Sequence, residues 1–179
     1  MDLSVMELFL SKDNILKHRE YMDNLRCKHS VMEKSIPEIM GKKPCEIYRM
    51  RLKRSVKQEI LPLLINYYSH MTFFDSFSKN DVRHPEIKRY FSSEDDFCYR
   101  ALEYAKGIEY GFLYVYKDRR GNIKFVSSEE PNDIYAVTEP VLALDVCEHV
   151  YFADYGYRRE EYLKAAIARL DIAKLLSEK

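Results

Sequence analysis

Apolar residues recur at helical spacing over the first part of the chain: Met6, Phe9, Leu10, Leu16 and Leu25. This pattern predicts a long amphipathic helix over residues 3–26. Asp13 lies on the stripe, three after Leu10 and three before Leu16, and Ile15, His18, Met22 and Leu25 make an adjoining stripe. Residues 27–45 turn polar and Lys-rich, with Pro37, Gly41 and Pro44 as breakers, and read as a connection. Helical spacing returns over residues 46–77, where Val56, Ile60, Leu63, Tyr67, His70 and Phe74 share a single seam. Pro62 should end or kink that helix near Leu61. The two segments predict an antiparallel helical hairpin with His70 turned inward.

The pattern changes after Asn80, where His84-Pro85 marks a boundary. Residues 86–91 and 93–106 read as helices, the second capped by Ser92 or Ser93 ahead of Glu94-Asp95-Asp96 and ended by Gly107. Residues 111–118 alternate Phe112, Tyr114 and Tyr116 against Leu113 and Val115, which is a strand. Arg119-Arg120-Gly121-Asn122 makes a turn, and residues 123–127 are the partner strand. The run Val141 to Leu144 is a third, buried strand, and residues 158–176 form a last helix with Tyr162, Ala166, Leu170 and Ala173 inward. The expectation is an α+β protein. A helical hairpin over residues 1–80 packs on an α/β domain over residues 81–179 that carries a three-stranded antiparallel sheet.

Composition narrows the partners. Lys plus Arg and Asp plus Glu both number 29 in 179 residues, so net charge is zero and a nucleic-acid partner is not expected. Fifteen Tyr and nine Phe against no Trp supply many large rings with polar tips. Cys27, Cys45, Cys98 and Cys147 are scattered, with no pair at metal-knuckle spacing, which points to a reducing compartment rather than a disulfide framework. No leader pattern opens the chain and no apolar run reaches the ~20 residues of a membrane span, so a cytoplasmic protein with no membrane partner is expected.

Candidate chemistry sits after the third strand. Asp145 and His149 are four residues apart at a strand-to-helix junction, and both side-chain types ligate first-row transition metals. On the residues alone, the reading favoured is that Asp145 caps the helix and His149 is a packed polar residue. His70 on its seam is a core histidine or a ligand, and Asp13 is a bound anion or an edge residue reaching water.

The surrounding residues add a resemblance. Asp145-Val146-Cys147-Glu148-His149-Val150-Tyr151-Phe152, then Asp154-Tyr155 and Tyr162-Leu163, is similar to the signature of the iron/manganese superoxide dismutases. That signature reads Asp-Val-Trp-Glu-His-Ala-Tyr-Tyr, then Asp-Tyr and Tyr-Leu. His70-Met71-Thr72-Phe73-Phe74 resembles the family's His-x-x-aromatic-Trp segment, and His18-x-x-Tyr21 with Asn24-Leu25 resembles its His-His-x-x-Tyr-x-x-x-Leu helix.

The resemblance implies one iron or manganese ion per chain, held by His70, Asp145 and His149. It makes Tyr21 the gateway residue of the substrate channel, with His18 beside it. The family's remaining ligand His lies eight residues before its gateway Tyr, which in this reading is Asp13. Asn66 takes the place of the solvent-binding Gln of iron-type members, and residues 128–132 offer no Gln of the manganese type. Glu148 would reach the partner's His149 across a homodimer, with Lys17 and Phe152 replacing a nearby His–Tyr pair. The implied reaction is disproportionation of superoxide to dioxygen and hydrogen peroxide. A second carboxylate at Asp13 would hold the ion oxidised and weaken turnover. The alternative is a non-catalytic or repurposed metal-binding dimer.

Overall fold

The computed structural model describes residues 3–79, 84–129 and 134–177. The expected hairpin boundary near residue 80, and Glu130, Pro131 and Asn132 of the segment searched for a Gln, lie outside the described residues.

The first helix is not where the apolar stripe begins. Residues Leu3–Leu8 form a short 3-10 helix, and α1 runs Lys12–Ser35. Ser11 is its cap, its hydroxyl accepting from the Asn14 amide at 3.3 Å. Phe9 and Leu10 are buried in the lead-in rather than on the helix, and Leu16 is 59% exposed. The buried face of α1 is the second stripe, Ile15, His18, Met22 and Leu25, extended to His29. The helix therefore runs through the stretch expected to be a connection. It stops at Ile36, whose successor Pro37 disfavours a helical conformation before it.

The second helical segment is two helices, α2 Pro44–Arg49 and α3 Arg54–Phe74. Pro62 lies inside α3, which continues through it; the residue is exposed, so its ring meets solvent. Residues late in α1 meet residues early in α3. His18 stacks on Phe73, Tyr21 meets His70, and Met32 and Ile36 pack on the cluster of Ile60, Leu61 and Leu64. The pair is thus an antiparallel hairpin.

Beyond it come α4 Glu94–Lys106, capped by Ser93, and the strands β1 Phe112–Lys117, β2 Ile123–Ser127 and β3 Leu142–Asp145. The sheet is antiparallel in the order β2-β1-β3, with Leu113 opposite both Ser127 and Leu144. All four residues of β3 are buried, which explains its unbroken apolar run. Helix α5, Glu148–Tyr155, follows after two residues.

The expected last helix divides into α6, Arg159–Ile167, and α7, Ile172–Ser177. Between them Leu170 forms a β-bridge with Phe77, while Ser78 N donates to Arg169 O and Asp171 N to Ser76 O. Those cross-chain bonds take backbone groups that a continuous helix would need.

The main core draws on both halves of the chain, from Met6 and Phe73 to Leu144 and Leu163. Buried Ser76 joins α3 to the sheet: its hydroxyl donates to Thr72 O at 2.6 Å and accepts from Ala143 N at 2.8 Å. This fixes the helix that carries His70 against the strand that carries Asp145.

Gly111 makes the entry to β1. Its φ is +92°, and an added Cβ would lie 2.0 Å from Ser128 Oγ, the atom that accepts from Phe112 N at 2.8 Å. Gly111→Ala should lower stability by about 2 kcal/mol or more, from left-handed strain plus overpacking. A denaturant midpoint within error of the parent protein would show that the loop adapts instead.

Candidate metal centre

Four side chains from four elements converge between the hairpin and the sheet. His18 comes from α1, His70 from α3, Asp145 from the end of β3 and His149 from the first turn of α5. Their four donor atoms lie within 4.8 Å of one another. Asp145 Oδ2 stands 3.1 Å from His149 Nε2, 3.5 Å from His18 Nε2 and 3.7 Å from His70 Nε2. Two ligands bonded at ~2.1 Å to one ion lie about 3.0 Å apart at a right angle and about 3.6 Å apart at 120°. The spacing around Oδ2 matches ligands sharing an ion better than a set of hydrogen bonds.

Hydrogen bonding supports the same fit. Buried His18 Nε2, His70 Nε2 and Asp145 Oδ2 have no hydrogen-bond partner, a costly arrangement in a packed core unless another group completes it. The opposite ends of His70 and Asp145 are held, whereas His18 Nδ1 is also buried without a hydrogen-bond partner. His70 Nδ1 lies 2.8 Å from the Asn66 carbonyl, so Nδ1 carries the proton and Nε2 presents a lone pair to the site. Asp145 Oδ1 accepts from Cys147 N at 2.9 Å, the local turn that starts α5, and Tyr162 Oη donates to the Asp145 carbonyl at 2.7 Å.

Electrostatics prepare the donors. Burial drives the His18 pKa down to about 3, against the pull of Asp145, and burial likewise lowers His70. Both therefore present neutral imidazoles at neutral pH. Burial alone would raise Asp145, but His149, His18 and His70 together outweigh it and leave the carboxyl below its ordinary value. His149, with its side chain 49% exposed, is pushed up to about 10 by Asp145 and then Cys147. An anion, two neutral imidazoles and a third on the open side are oxygen and nitrogen donors for a first-row transition metal, which would displace the His149 proton on binding.

Asp13 is not among these groups. It is exposed in the first turn of α1, about 140° around the helix from His18. Its carboxylate meets the helix's positive end and solvent. His18, expected beside the channel, instead joins the cluster. The usable signal was the Ile15, His18, Met22, Leu25 stripe, which made His18 a buried polar residue on the packed face of α1.

This moves the register of the α1 resemblance by five residues. Eight residues beyond His18 stands Arg26, which is exposed, and Tyr21 is a single turn beyond. Tyr21 nevertheless borders the cluster, its ring 5.1 Å from that of His70 and 6.0 Å from that of His149. The Asn66 side-chain amide donates to Tyr21 Oη at 3.1 Å. Asn66 thus orients His70 with its backbone and Tyr21 with its side chain. Cys147, at the signature's Trp position, accepts from Gly111 N at 2.9 Å through its sulfur. Glu148, Lys17 and Phe152 are exposed, Glu148 next to the open edge of His149. Glu129 is turned to the backbone amides of Glu109 and Tyr110. Among the described residues no helix is long and apolar enough to cross a membrane, and all four cysteines are free.

Comparison with known proteins agrees with the site. Residues 79–176 match the family described as iron/manganese superoxide dismutases, C-terminal domain. The chain is also 25% identical over 181 aligned positions to a superoxide dismutase [Mn] of Acinetobacter baylyi, covering 92% of this chain and 74% of that protein. The match spans more than half of the chain and contains β3 and the first turn of α5, which carry Asp145 and His149; the chain belongs to the iron/manganese superoxide dismutase family.

Proposed function

We propose that the protein is a superoxide dismutase, converting superoxide to dioxygen and hydrogen peroxide at one iron or manganese ion per chain. The observation that carries this is the convergence of three imidazoles and one carboxylate, with the inward atoms of His18, His70 and Asp145 lacking hydrogen-bond partners. His18, His70, Asp145 and His149 would hold the ion. When bound, it supplies one-electron chemistry at a potential between the two superoxide couples. With Asp13 in solvent, the ligand set is one anion and three neutral donors, and the reason for expecting an over-stabilised oxidised state falls away.

The chain's own groups then act on the substrate side. His149 and Tyr21 are the half-exposed members of the site, so a small anion reaches it past them. Tyr21 Oη, held by Asn66 on the open side of the site, would be the hydroxyl that delivers a proton to the peroxide product. Phe73, Phe74 and Phe112 close the far side against His18 and His70 and exclude bulk water.

The proposal extends to assembly and place. Exposed Glu148, beside His149, would accept from the partner's His149 in a two-fold homodimer. Four free thiols suit a reducing cytoplasm.

The decisive experiment purifies the protein from cells supplied with iron or manganese and measures metal content, dismutase activity and sedimentation. Near-stoichiometric metal with turnover and a dimer is expected. Absence of metal after both supplementations would overturn the reading. Stoichiometric metal without turnover would establish the repurposed metal-binding alternative.

A further inference from the structure

We propose that a polar clamp between the start of α1 and α5 sets the registry of the metal ligands, making Asn14 and Asp154 positioning residues for the site. This rests on the metal reading above.

The clamp comprises four hydrogen bonds. The buried Asn14 side-chain amide donates to Val150 O at 2.7 Å and to Asp154 Oδ2 at 3.0 Å. Ser11 N, at the helix cap, donates to the same Asp154 oxygen at 2.8 Å. Tyr155 Oη donates to Phe9 O at 2.7 Å. Burial raises the Asp154 carboxyl, and the Ser11 and Asn14 contacts more than reverse this, keeping the acceptor ionised.

The placement relative to the ligands is what gives these bonds a role. Asn14 is one helical turn before His18, and Val150 directly follows His149. One amide therefore ties the turn beneath one ligand to the residue beside another. Beyond the ring contacts of His18 and Tyr21 with His149, the two helices share the main apolar cluster, to which Ile15, Met22, Val150 and Tyr151 belong. Apolar packing is non-directional and tolerates sliding. A slip of one residue moves a helix by ~1.5 Å, whereas a metal constellation needs its donors held to ~0.5 Å. Directional hydrogen bonds at Asn14 and Asp154 remove that freedom.

The test uses full-length protein stripped of metal and titrated with manganese(II) against a competing chelator, under conditions where circular dichroism shows each variant folded. Asn14→Ala and Asp154→Ala should each weaken manganese binding by about ten- to a hundredfold. Asp154→Asn should recover most of that, because both donors converge on a single oxygen that an amide carbonyl replaces. Affinity within twofold of the natural protein in both alanine variants would overturn the proposal, as would an Asp154→Asn variant as weak as Asp154→Ala. Hydrogen exchange of residues 12–18 in the metal-free proteins provides the independent reading. Asn14→Ala should exchange faster there, and unchanged protection would overturn the clamp. Should the natural protein take up no manganese, the metal reading fails, and the exchange result alone decides the clamp.

Discussion

Replacing His18 should remove metal from this protein, while replacing Asp13 should leave it in place. Metal binding at a four-ligand protein site is worth ~10–16 kcal/mol, so one ligand in four carries roughly 3 kcal/mol, or about two orders of magnitude in affinity. His18 is 3% exposed with its Nε2 facing Asp145 at 3.5 Å, and no other described donor is placed to substitute for it. His18→Gln keeps most of the side-chain volume, so elemental analysis should find metal lost from folded protein. Asp13→Ala removes a first-turn acid worth ~0.5 kcal/mol to the helix and should change metal content by nothing measurable. Asp13→His should gain nothing either, since the position faces solvent. The opposite pattern, with metal lost at position 13 and kept at position 18, would refute the placement of α1.

The second large effect belongs to Asp145. It is fully buried and is the single carboxylate in the cluster. Asp145→Asn keeps an oxygen for Cys147 N and leaves the carbonyl that accepts from Tyr162 untouched, so the start of α5 should form as before. What disappears is the negative charge facing three imidazoles. At ~4 Å and an effective dielectric near 20, a unit charge on an ion is worth roughly 4 kcal/mol, and more for a divalent or trivalent cation. The variant should fold, retain no metal through gel filtration and show no dismutase activity above background. Full metal content would mean that the carboxylate does not contact the ion. Native-like circular dichroism is required for either outcome to count.

How far these predictions could be made before the fold was known varies by element. The β1–β2 hairpin was readable because alternation in residues 112–117 and the Asp118 to Asn122 turn are local facts, and Asp118 Oδ1 accepts from Arg120 N and Asn122 N within the turn itself. The α4 cap was readable for the same reason. Spacing left Asp145, His149 and His70 open between core or capping roles and a shared site, and the family resemblance is what singled them out.

The errors lay where two periodicities overlapped. Met6, Phe9 and Leu10 share spacing with Leu16, so the chain before Ser11 looked like the start of one helix. The choice between the Asp13 stripe and the His18 stripe depends on which face meets α3, and that is a long-range fact. Ser11 N is satisfied by Asp154, 143 residues away, so the cap that fixes the phase of α1 rests on α5. The break between α6 and α7 has a similar cause, since Phe77 and Ser76 supply the pairing that interrupts it.

Local periodicity thus determined the sheet and the centres of most helices, and the signature's resemblance marked three of the four side chains that converge. Tertiary structure decided the fourth, because a helix presents several faces of nearly equal apolar character and only its partners select one. That selection turned His18 toward Asp145 and left Asp13 in water. The physical reason is the ~100° step of the helix: a change of contact face shifts every inward residue at once, and no window shorter than the α1–α5 contact contains the information.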